Sequence, residues 1–410
     1  MVDKRVPELR FEGFDGDWEQ RELGELGEVT TGKAFSSTDF DNQGEYLVIT
    51  NKDISDSSKS QNVVTNRINI SDNETIQRYN LSGKNILVTM DGVNLGKSAI
   101  FSNSKALLAQ RVGRIKSNQL EFIYQITSSN TFLSKMRMLS VGNAIKHISL
   151  KQISDFSSLV PKDTTEQQKI GNFFKQLDDT IALHQQKLDQ LKRLKQGFLQ
   201  ILFGNKEQAP KVRFAGFDEE WEQRKLGEVV ECFEYGLNAA AREYDGKNKY
   251  LRITDIDEET HLFKSEKLTS PDINLSNADN YKLKENDVLF ARTGASVGKT
   301  YRYRLEDGLI YYAGFLIRAR IKSEFSTEFI FQNTLTSKYN QYIKIASQRS
   351  GQPGVNAQEY SKFELFVPNL EEQQKIGSFF KQLDDAIALH QTKLEKLKQL
   401  KQAFLQKMFI

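Results

Sequence analysis

The chain has 410 residues, enough for two or three domains with their own hydrophobic cores. Its 38% hydrophobic and 27% charged residues, without an apolar run long enough to span a bilayer, are typical of a globular protein and argue against a membrane span. The net charge of +3 is too small to indicate a nucleic-acid partner by itself, and the single cysteine and the lack of an apolar N-terminal stretch predict a cytoplasmic protein without disulfides or a secretion signal.

The first predicted element is a head segment, RFEGFDGDWEQRELGE at residues 10–25, which returns as RFAGFDEEWEQRKLGE at residues 213–228. Residues 166–200 return in the same way at 372–406, with differences at seven of 35 positions. The regions between these repeats are dissimilar in sequence. The chain is therefore a tandem duplication, in which two different regions are mounted on one repeated scaffold.

The first variable region, residues 30–160, carries 15 basic and 10 acidic residues. Short β-rich runs occur at Tyr46–Thr50, Ile86–Thr89 and Gly113–Ile115, and the pattern near 119–139 is helical. The region is predicted to be a β-rich domain with helices on it.

A glycine-rich segment, GVNLGKS at 92–98, follows one of these runs, and GASVGKT at 294–300 holds the same place in the second half. Each resembles a phosphate-binding P-loop, but three residues instead of four separate the first glycine from Gly-Lys-Ser/Thr. We interpret both segments as glycine-rich turns between strands, whose small residues let the backbone approach a ligand closely.

A long helix is predicted after Pro161, and a second copy after Pro368. In the first helix, apolar residues and one histidine recur at steps of three and four with one interruption: Ile170, Phe174, Leu177, Ile181, His184, Leu188, Leu191, Phe198 and Leu202. This heptad pattern predicts a coiled coil. Two narrow stripes of equal length in one chain are expected to pack on each other as an antiparallel pair with pseudo-twofold symmetry.

The second variable region, residues 229–368, carries 19 basic and 19 acidic residues. Its β-rich runs are Tyr250–Thr254, Val288–Ala291 and Ala313–Ile321, and the pattern near 326–346 is helical. Turn clusters separate the runs in both variable regions. The predicted class is α+β, with mixed, mainly antiparallel β-structure and helices in each region.

Polar loop side chains are abundant in both variable regions. Arg and Lys can pair with guanine edges, and Asn and Gln with adenine edges, although solvent exposure alone also explains any single polar loop residue. The candidate DNA-contacting residues are Lys33, Asn51, Lys52, Asn94, Lys97, Asn143, Lys146, His147, Arg292, Thr293, Ser296, Lys299, Gln348, Arg349, Ser350 and Gln352.

The outer faces of the two long helices are as similar to each other as their apolar stripes are. Burial of an apolar stripe does not require the outer face to be conserved between the copies. A face kept in both copies predicts that two identical partners dock there; a simple coiled-coil spacer is the alternative. The candidate partner-binding residues are Gln167, Phe173, Lys175, Asp178, Phe379, Lys381 and Asp384.

Motifs of several enzyme classes are missing from the sequence. It has no adjacent prolines, which the Asn/Asp-Pro-Pro-Tyr motif of adenine methyltransferases requires, and no G-x-G-x-x-G, Walker A or HExxH motif. We expect neither a catalytic nor a metal site, and interpret the chain as a targeting subunit. The alternatives are a coiled-coil scaffold that binds protein without sequence-specific DNA binding, and an NTPase.

Over nearly its whole length the chain resembles the specificity subunits of type I restriction-modification enzymes. The resemblance rests on WEQR-x-LGE in both heads, Pro-x(3–4)-Glu-Gln-Gln-Lys-Ile before each helix, and Leu-Asp-Asp with Ile-Ala-Leu-His inside it. It implies four segments: target-recognition domains at 1–160 and 206–367, a central helix at 161–205 and a C-terminal helix at 368–410.

The resemblance further implies that each recognition domain reads one half of an asymmetric bipartite site in double-stranded DNA. The helices would form an antiparallel intramolecular coiled coil that sets the unread spacer and docks two methyltransferase subunits. Those subunits would bind S-adenosylmethionine and methylate adenine, while restriction subunits would use ATP and Mg to translocate and cleave unmodified DNA. The resemblance implies no cofactor in this chain.

Overall fold

The structure is a computed structural model that describes residues 5–54, 65–142, 146–203, 210–348 and 351–410. The chain divides into two compact units: unit 1 comprises Met1–His184 and Lys393–Ile410, and unit 2 comprises Gln185–Thr392. The division falls within both long helices, α6 (Thr164–Ile201) and α11 (Leu370–Met408).

Unit 1 combines short strands and short helices. Its strands are β1 (Glu19–Glu22), β2 (Glu28–Thr31), β3 (Tyr46–Ile49), β4 (Arg67–Ile68), β5 (Asn80–Thr89), β6 (Ser98–Leu108), β7 (Val112–Lys116) and β8 (Ser157–Val160). Its short helices are α1 (Leu23–Leu26), α2 (Asn73–Tyr79), α3 (Leu120–Thr127), α4 (Asn130–Leu139) and α5 (Leu150–Ser154).

The main sheet of unit 1 has the order β2-β7-β5-β6-β3-β4, and β1 pairs separately with β8. All pairs in it are antiparallel except β3 with β6. Ile86, Leu87 and Val88 of β5 are fully buried, as a continuous apolar run in a central strand predicts. Trp18 of the head segment is buried in the same unit, beside α3 and the end of α11.

Unit 2 repeats this plan. Its strands are β9 (Glu222–Lys225), β10 (Val230–Tyr235), β11 (Ala241–Glu243), β12 (Lys249–Leu251), β13 (Thr269–Pro271), β14 (Asp287–Ala291), β15 (Thr300–Arg302), β16 (Ile310–Tyr312), β17 (Leu316–Ile321) and β18 (Glu364–Val367). Its short helices are α7 (Leu226–Val229), α8 (Thr327–Asn333), α9 (Ser337–Ala346) and α10 (Ala357–Ser361).

The sheet order β10-β17-β14-β15 in unit 2 corresponds to β2-β7-β5-β6 in unit 1, and β9-β18 corresponds to β1-β8. The parallel pair β12-β16 corresponds to β3-β6. The predicted class is confirmed: both units are α+β with mixed, mainly antiparallel sheets. The predicted strand over Tyr250–Thr254 is wrong beyond Leu251, because Ile253–Asp255 form a 3-10 turn in which the Asp255 carboxylate accepts from the Arg252 amide at 3.0 Å.

The helical patterns predicted near 119–139 and 326–346 each prove to be two helices. Ser129 interrupts the first pattern, where its hydroxyl accepts from the Phe132 amide and starts α4. Thr336 interrupts the second, where its hydroxyl accepts from the Tyr339 amide and starts α9. A hydroxyl side chain that caps a helix start competes with continuation of the preceding helix.

Each unit contains an antiparallel pair made by parts of the two long helices. In unit 1, Lys401 Nζ lies 2.6 Å from Asp178 Oδ1, and the rings of Phe173 and Phe404 meet at 5.0 Å. Partner numbers fall along α11 as they rise along α6, so the two segments run in opposite directions. The predicted antiparallel pairing is confirmed within this unit.

Unit 2 contains the same pair with the helices exchanged. Lys195 Nζ lies 2.6 Å from Asp384 Oδ1, and the rings of Phe198 and Phe379 meet at 4.8 Å. Each of these residues stands 206 positions from its counterpart in unit 1. The repeated sequence thus builds the same antiparallel contact in each unit, as the predicted tandem repeat requires.

A buried ion pair fixes each head segment to the start of a long helix. Arg10 donates from Nε and Nη2 to the two carboxylate oxygens of Glu166, both at 2.7 Å. Arg213 makes the same forked contact with Glu372, at 3.0 and 2.7 Å. Both carboxylates are fully buried. The pairs give a structural reason for the repetition of head and helix together.

Among the described residues, no helix combines the length and apolar character that crossing a bilayer requires.

Candidate nucleic-acid interface

In unit 1, the turn 109–111 between β6 and β7 is joined to the ends of three other strands. Three backbone hydrogen bonds make these links: Ala109 N to Ile49 O at 3.0 Å, Gln110 N to Lys33 O at 2.8 Å, and Met90 N to Arg111 O at 3.1 Å. A further bond, from Ile148 N to Met90 O at 2.9 Å, adds the segment around 146–148. We call these converging segments loop cluster 1: residues 33, 50–52, 90–97, 109–111 and 146–148.

Unit 2 has the same framework around the turn 313–315. The corresponding bonds are Ala313 N to Leu251 O at 3.0 Å, Gly314 N to Leu237 O at 2.8 Å, Arg292 N to Phe315 O at 3.0 Å, and Val355 N to Arg292 O at 2.9 Å. We call these segments loop cluster 2: residues 235–237, 292–298, 313–315 and 351–355. The backbone arrangement is thus shared by the two units, whereas the side chains that it presents differ.

The two Gly-Lys segments are tight turns inside these clusters. One joins the antiparallel strands β5 and β6, and the other joins β14 and β15. In both, the glycine before the lysine donates its amide to the last residue of the preceding strand, as Gly96 does to Thr89 and Gly298 to Ala291. The interpretation as turns between strands is confirmed; no α-helix follows directly, as one would in a P-loop.

Gly298 requires both its backbone conformation and its lack of a side chain. Its φ is +85°, and a Cβ placed there would lie 2.6 Å from Ile343 Cγ2 of α9. We expect Gly298→Ala to lower the free energy of unfolding by about 2–4 kcal/mol, from left-handed strain together with overpacking. Trp221, read by fluorescence in a Trp18→Phe background, reports unfolding of unit 2.

Gly246→Ala is the matched control for this change. Gly246 also has a positive φ, +83°, but its added Cβ would meet no atom within 4 Å. Strain alone should then cost about 1–2 kcal/mol. Equal losses in the two variants would contradict the close approach of the Gly-Lys turn to α9.

The candidate DNA-contacting residues of unit 1 that the structure describes all belong to loop cluster 1. Lys33, Lys52, Lys146 and His147 are exposed, and Asn51, Asn94 and Lys97 are half-buried. The ammonium group of Lys33 donates to Thr75 Oγ1 at 2.9 Å. Asn143 lies outside the described residues. The structure thus brings together residues that are far apart in sequence, and their contact with DNA remains a prediction.

In unit 2, Arg292, Thr293, Ser296 and Gln352 belong to loop cluster 2. The Arg292 guanidinium lies over the exposed ring of Tyr235, 5.0 Å from its centroid. Thr293 forms a β-bridge with Gly354, next to the exposed Gln352. Gln348 is exposed and follows Ser347, whose carbonyl accepts from the Gly354 amide at 3.3 Å. The candidates Arg349 and Ser350 lie outside the described residues.

Lys299 already has an intramolecular partner. Its Nζ lies 3.0 Å from Glu258 Oε1, and its side chain is only 11% exposed. The hydrogen bond from Lys299 holds the pKa of the Glu258 carboxyl below its usual value. A nucleic-acid phosphate would have to displace Glu258 to reach this ammonium group, so Lys299 is a weaker candidate than Arg292.

Sequence reasoning missed the residues at the centre of each cluster. Gln110 and Arg111 are exposed at the turn of cluster 1, and Phe315 is exposed at the turn of cluster 2. The run Ala313–Ile321 was expected to be one strand, but β17 begins only at Leu316. Gly314 inside that run was the one available signal of a turn.

Residues predicted to bind partners on the long helices have mixed environments. Gln167 was expected to face outward, and this is wrong: it is 5% exposed because its amide donates to Pro161 O at 2.8 Å. Gln373 repeats this contact with Pro368 O at the same distance. These glutamines fix the helix start to the strand before it, so they cannot present an outer surface.

The other candidates on the helices are also engaged within their own units. Phe173 meets the ring of Phe11 at 5.8 Å, and Phe379 meets that of Phe214 at 6.0 Å. Asp178 and Asp384 form the ion pairs between helix segments described above, and Asp384 also accepts from Gln332 Nε2 at 2.8 Å. Lys175 pairs with Asp179, and Lys381 with Asp385, one helical turn along. Their contact with a partner remains a prediction.

An exposed leucine lies on the outer face of the helix segment in each unit. Leu183 is 65% exposed in unit 1, and Leu389 is 53% exposed in unit 2. Each ends a stripe of exposed residues at helical spacing: Gln168, Asn172, Gln176, Asp179 and Leu183 on α6, and Gln374, Ser378, Gln382, Asp385 and Leu389 on α11. We call these the outer stripes. The two outer stripes differ at one of five positions. Each carries an exposed leucine that does not belong to a hydrophobic core.

Comparisons with known proteins agree with the repeated plan. The type I restriction modification DNA specificity domain family matches residues 15–193 and again 218–399. A protein assigned as the type I restriction enzyme MjaX specificity subunit of Methanocaldococcus jannaschii is 23% identical over 217 residues, which are 51% of this chain and 50% of that relative. The alignment thus spans half the length of that relative.

A solved structure shares the fold of the whole chain. The crystal structure of the type I restriction-modification system S subunit from M. genitalium superposes with a TM-score of 0.71, at 15% sequence identity, and the alignment covers 99% of both chains. At this identity the likeness concerns the fold alone.

Proposed function

The chain belongs to the type I restriction modification DNA specificity domain family, and on this premise we propose that it directs a type I restriction-modification complex to its DNA site. Loop clusters 1 and 2 would each read one half of an asymmetric, bipartite site. The division into recognition domains at 1–160 and 206–367, with helices at 161–205 and 368–410, is part of this proposal.

The observation that carries the proposal is one backbone framework with two sets of side chains. The turns 109–111 and 313–315 are held by corresponding hydrogen bonds. Cluster 1 offers charged and amide groups around Arg111. Cluster 2 instead offers the ring of Phe315 and the Arg292 guanidinium stacked on the ring of Tyr235. Base edges are distinguished by such differences in donor, acceptor and apolar groups. A shared frame with unlike contact groups is what reading two different half-sites requires.

The outer stripes support docking of two copies of one methyltransferase subunit. A partner that recognises one stripe would recognise the other, because four of five residues are identical and the leucine is exposed in both. Burying an exposed leucine side chain against a partner stabilises the contact by about 1.5–3 kcal/mol. The antiparallel helix pairs would set the distance between half-sites.

Catalysis would lie in the partner subunits. We propose that methyltransferase subunits supply S-adenosylmethionine and methylate adenine, and that restriction subunits use ATP and Mg to translocate and cleave double-stranded DNA. This chain would contribute position and sequence choice, without a cofactor or a catalytic group of its own. Since its proposed target is cellular DNA, the cytoplasm is the proposed location.

The direct test is selection of random DNA duplexes by the chain assembled with its methyltransferase subunits. We expect enriched duplexes to share two unlike blocks of fixed sequence with a gap of fixed length and free sequence between them. Binding must be measured at stated salt, because phosphate contacts alone give salt-dependent binding without sequence preference.

The second candidate is a coiled-coil scaffold that binds proteins, and the helix pairs alone are consistent with it. In that case the assembled complex would enrich no sequence in the selection, although the chain would still bind its partners. Such a result would reject the proposed reading of DNA and keep the scaffold.

A further inference from the structure

The turn at the centre of loop cluster 2 carries an exposed aromatic side chain. Phe315 is 63% exposed, and the segments of the same cluster carry polar or amphipathic residues, including Tyr235, Arg292 and Gln352. A single exposed apolar residue is ordinary on a protein surface. Its position distinguishes Phe315, since backbone hydrogen bonds join the turn that bears it to Leu237, Leu251 and Arg292.

The backbone that bears this side chain is held in place before any ligand binds. Leu316 N donates to Ala313 O at 2.8 Å across the turn, and the Phe315 carbonyl accepts from Arg292 N at 3.0 Å. Gly236 N donates to Leu316 O at 3.1 Å on the other side. A group fixed in this way loses little conformational entropy on binding, so its contact energy is not spent on ordering the loop.

The counterpart of Phe315 in unit 1 has the opposite chemistry. Arg111 occupies the same position in the framework, since its carbonyl accepts from Met90 N as that of Phe315 accepts from Arg292 N. Arg111 has a φ of +68°, is exposed, and pairs with Asp91 at 3.1 Å. A non-glycine residue in the left-handed region is strained and is found preferentially at functional sites. One position in a common frame thus carries a cation in one unit and a phenyl ring in the other.

The major groove offers one apolar group that a phenyl ring can recognise, the 5-methyl group of thymine. The other base edges present donors and acceptors, which suit Arg292, Thr293 and Gln352 of the same cluster. We propose that Phe315 is a specificity-determining residue that contacts a thymine methyl group in the half-site read by unit 2. This inference rests on the proposed function, because it assumes that cluster 2 reads base edges.

The test uses the chain assembled with its methyltransferase subunits and the duplex obtained by random selection. Each thymine of the two half-sites is replaced in turn by deoxyuridine, which removes only the methyl group. We expect one replacement to weaken binding by the wild-type complex roughly threefold to fivefold, the effect of one buried methyl group. Phe315→Ala should bind the thymine and deoxyuridine duplexes equally.

Arg111→Ala is the matched control, since it alters the same position of the other cluster. It should keep the full preference for thymine over deoxyuridine at the position that Phe315 reads. Because Phe315 is exposed, Phe315→Ala should unfold at the same temperature as the parent chain, which separates loss of contact from loss of folding.

Two outcomes would overturn the inference while leaving the proposed function intact. One is a bipartite site at which no deoxyuridine replacement weakens binding, and the other is a thymine preference that survives in Phe315→Ala. If in the second case the affinity of Phe315→Ala falls uniformly, the result would indicate a ring inserted between base pairs. If the wild-type complex selects no sequence at all, the proposed function and the inference fall together.

Discussion

Replacing both Leu183 and Leu389 with glutamate is expected to release both methyltransferase subunits from the chain. Each leucine is the exposed apolar residue of an outer stripe, and a carboxylate in its place must be desolvated without a partner when the interface forms. We expect each contact to weaken by at least about 2 kcal/mol, or about thirtyfold. Native mass spectrometry of the assembled complex should find two partner subunits on the parent chain, one on either single variant and none on the double variant.

Leu305→Glu is the control for this experiment. Leu305 is as exposed as Leu183 but lies outside both long helices, so the same change of charge should leave two partner subunits bound. Retention of both partners by Leu183→Glu/Leu389→Glu would place the docking surface elsewhere. Loss of both partners in either single variant would mean that the two contacts are not independent.

Arg10→Met is expected to destabilise unit 1 by about 2–4 kcal/mol. This loss is smaller than the usual loss on breaking a buried ion pair, because the Arg10 side chain is partly exposed. The change leaves the fully buried carboxylate of Glu166 without its forked donor. Urea unfolding followed by Trp18 fluorescence, in a Trp221→Phe background, measures the loss in this unit.

Two further variants identify the cause of that loss. Arg10→Met with Glu166→Met removes the uncompensated charge and should recover at least half of the lost stability. Arg21→Ala breaks exposed pairs with Glu19 and Glu25 and should cost at most about 1 kcal/mol. If Arg10→Met is no more destabilising than Arg21→Ala, the head segment is not held to α6 by this ion pair.

The long helices could be predicted because their signal is local. Apolar residues at heptad spacing are buried in the structure, among them Ile170 and Phe174 in α6 and Ile376 and Phe380 in α11. The outward position predicted for Gln167 is wrong because the contact that buries it is not part of the heptad pattern. Its burial depends on the carbonyl of Pro161, which heptad spacing does not describe, because it belongs to the chain before the helix.

The loop clusters could be predicted only in part. Polar residues in turns mark candidates such as Lys33 and Asn94, but only the order of the strands determines that these turns meet. The exposure of Phe315 could not be predicted because the apolar run around it indicates a continuous strand. The turn that interrupts this run is held by hydrogen bonds to residues far away in sequence, such as Leu237 and Leu251. Side chains that complete a site from a distant segment leave no pattern in a single sequence.

The most direct measurement is adenine-methylation mapping in a host that carries the methyltransferase with either the parent chain or a chain with longer helices. One heptad is added after Gln185 in α6 and after Gln391 in α11, so that the apolar stripe keeps its period. The parent should methylate an asymmetric, bipartite motif; in the variant both half-sites should persist and the gap should grow by about 10 Å, or about three base pairs. An unchanged gap between unchanged half-sites would contradict the role of the helices as the spacer between two reading units.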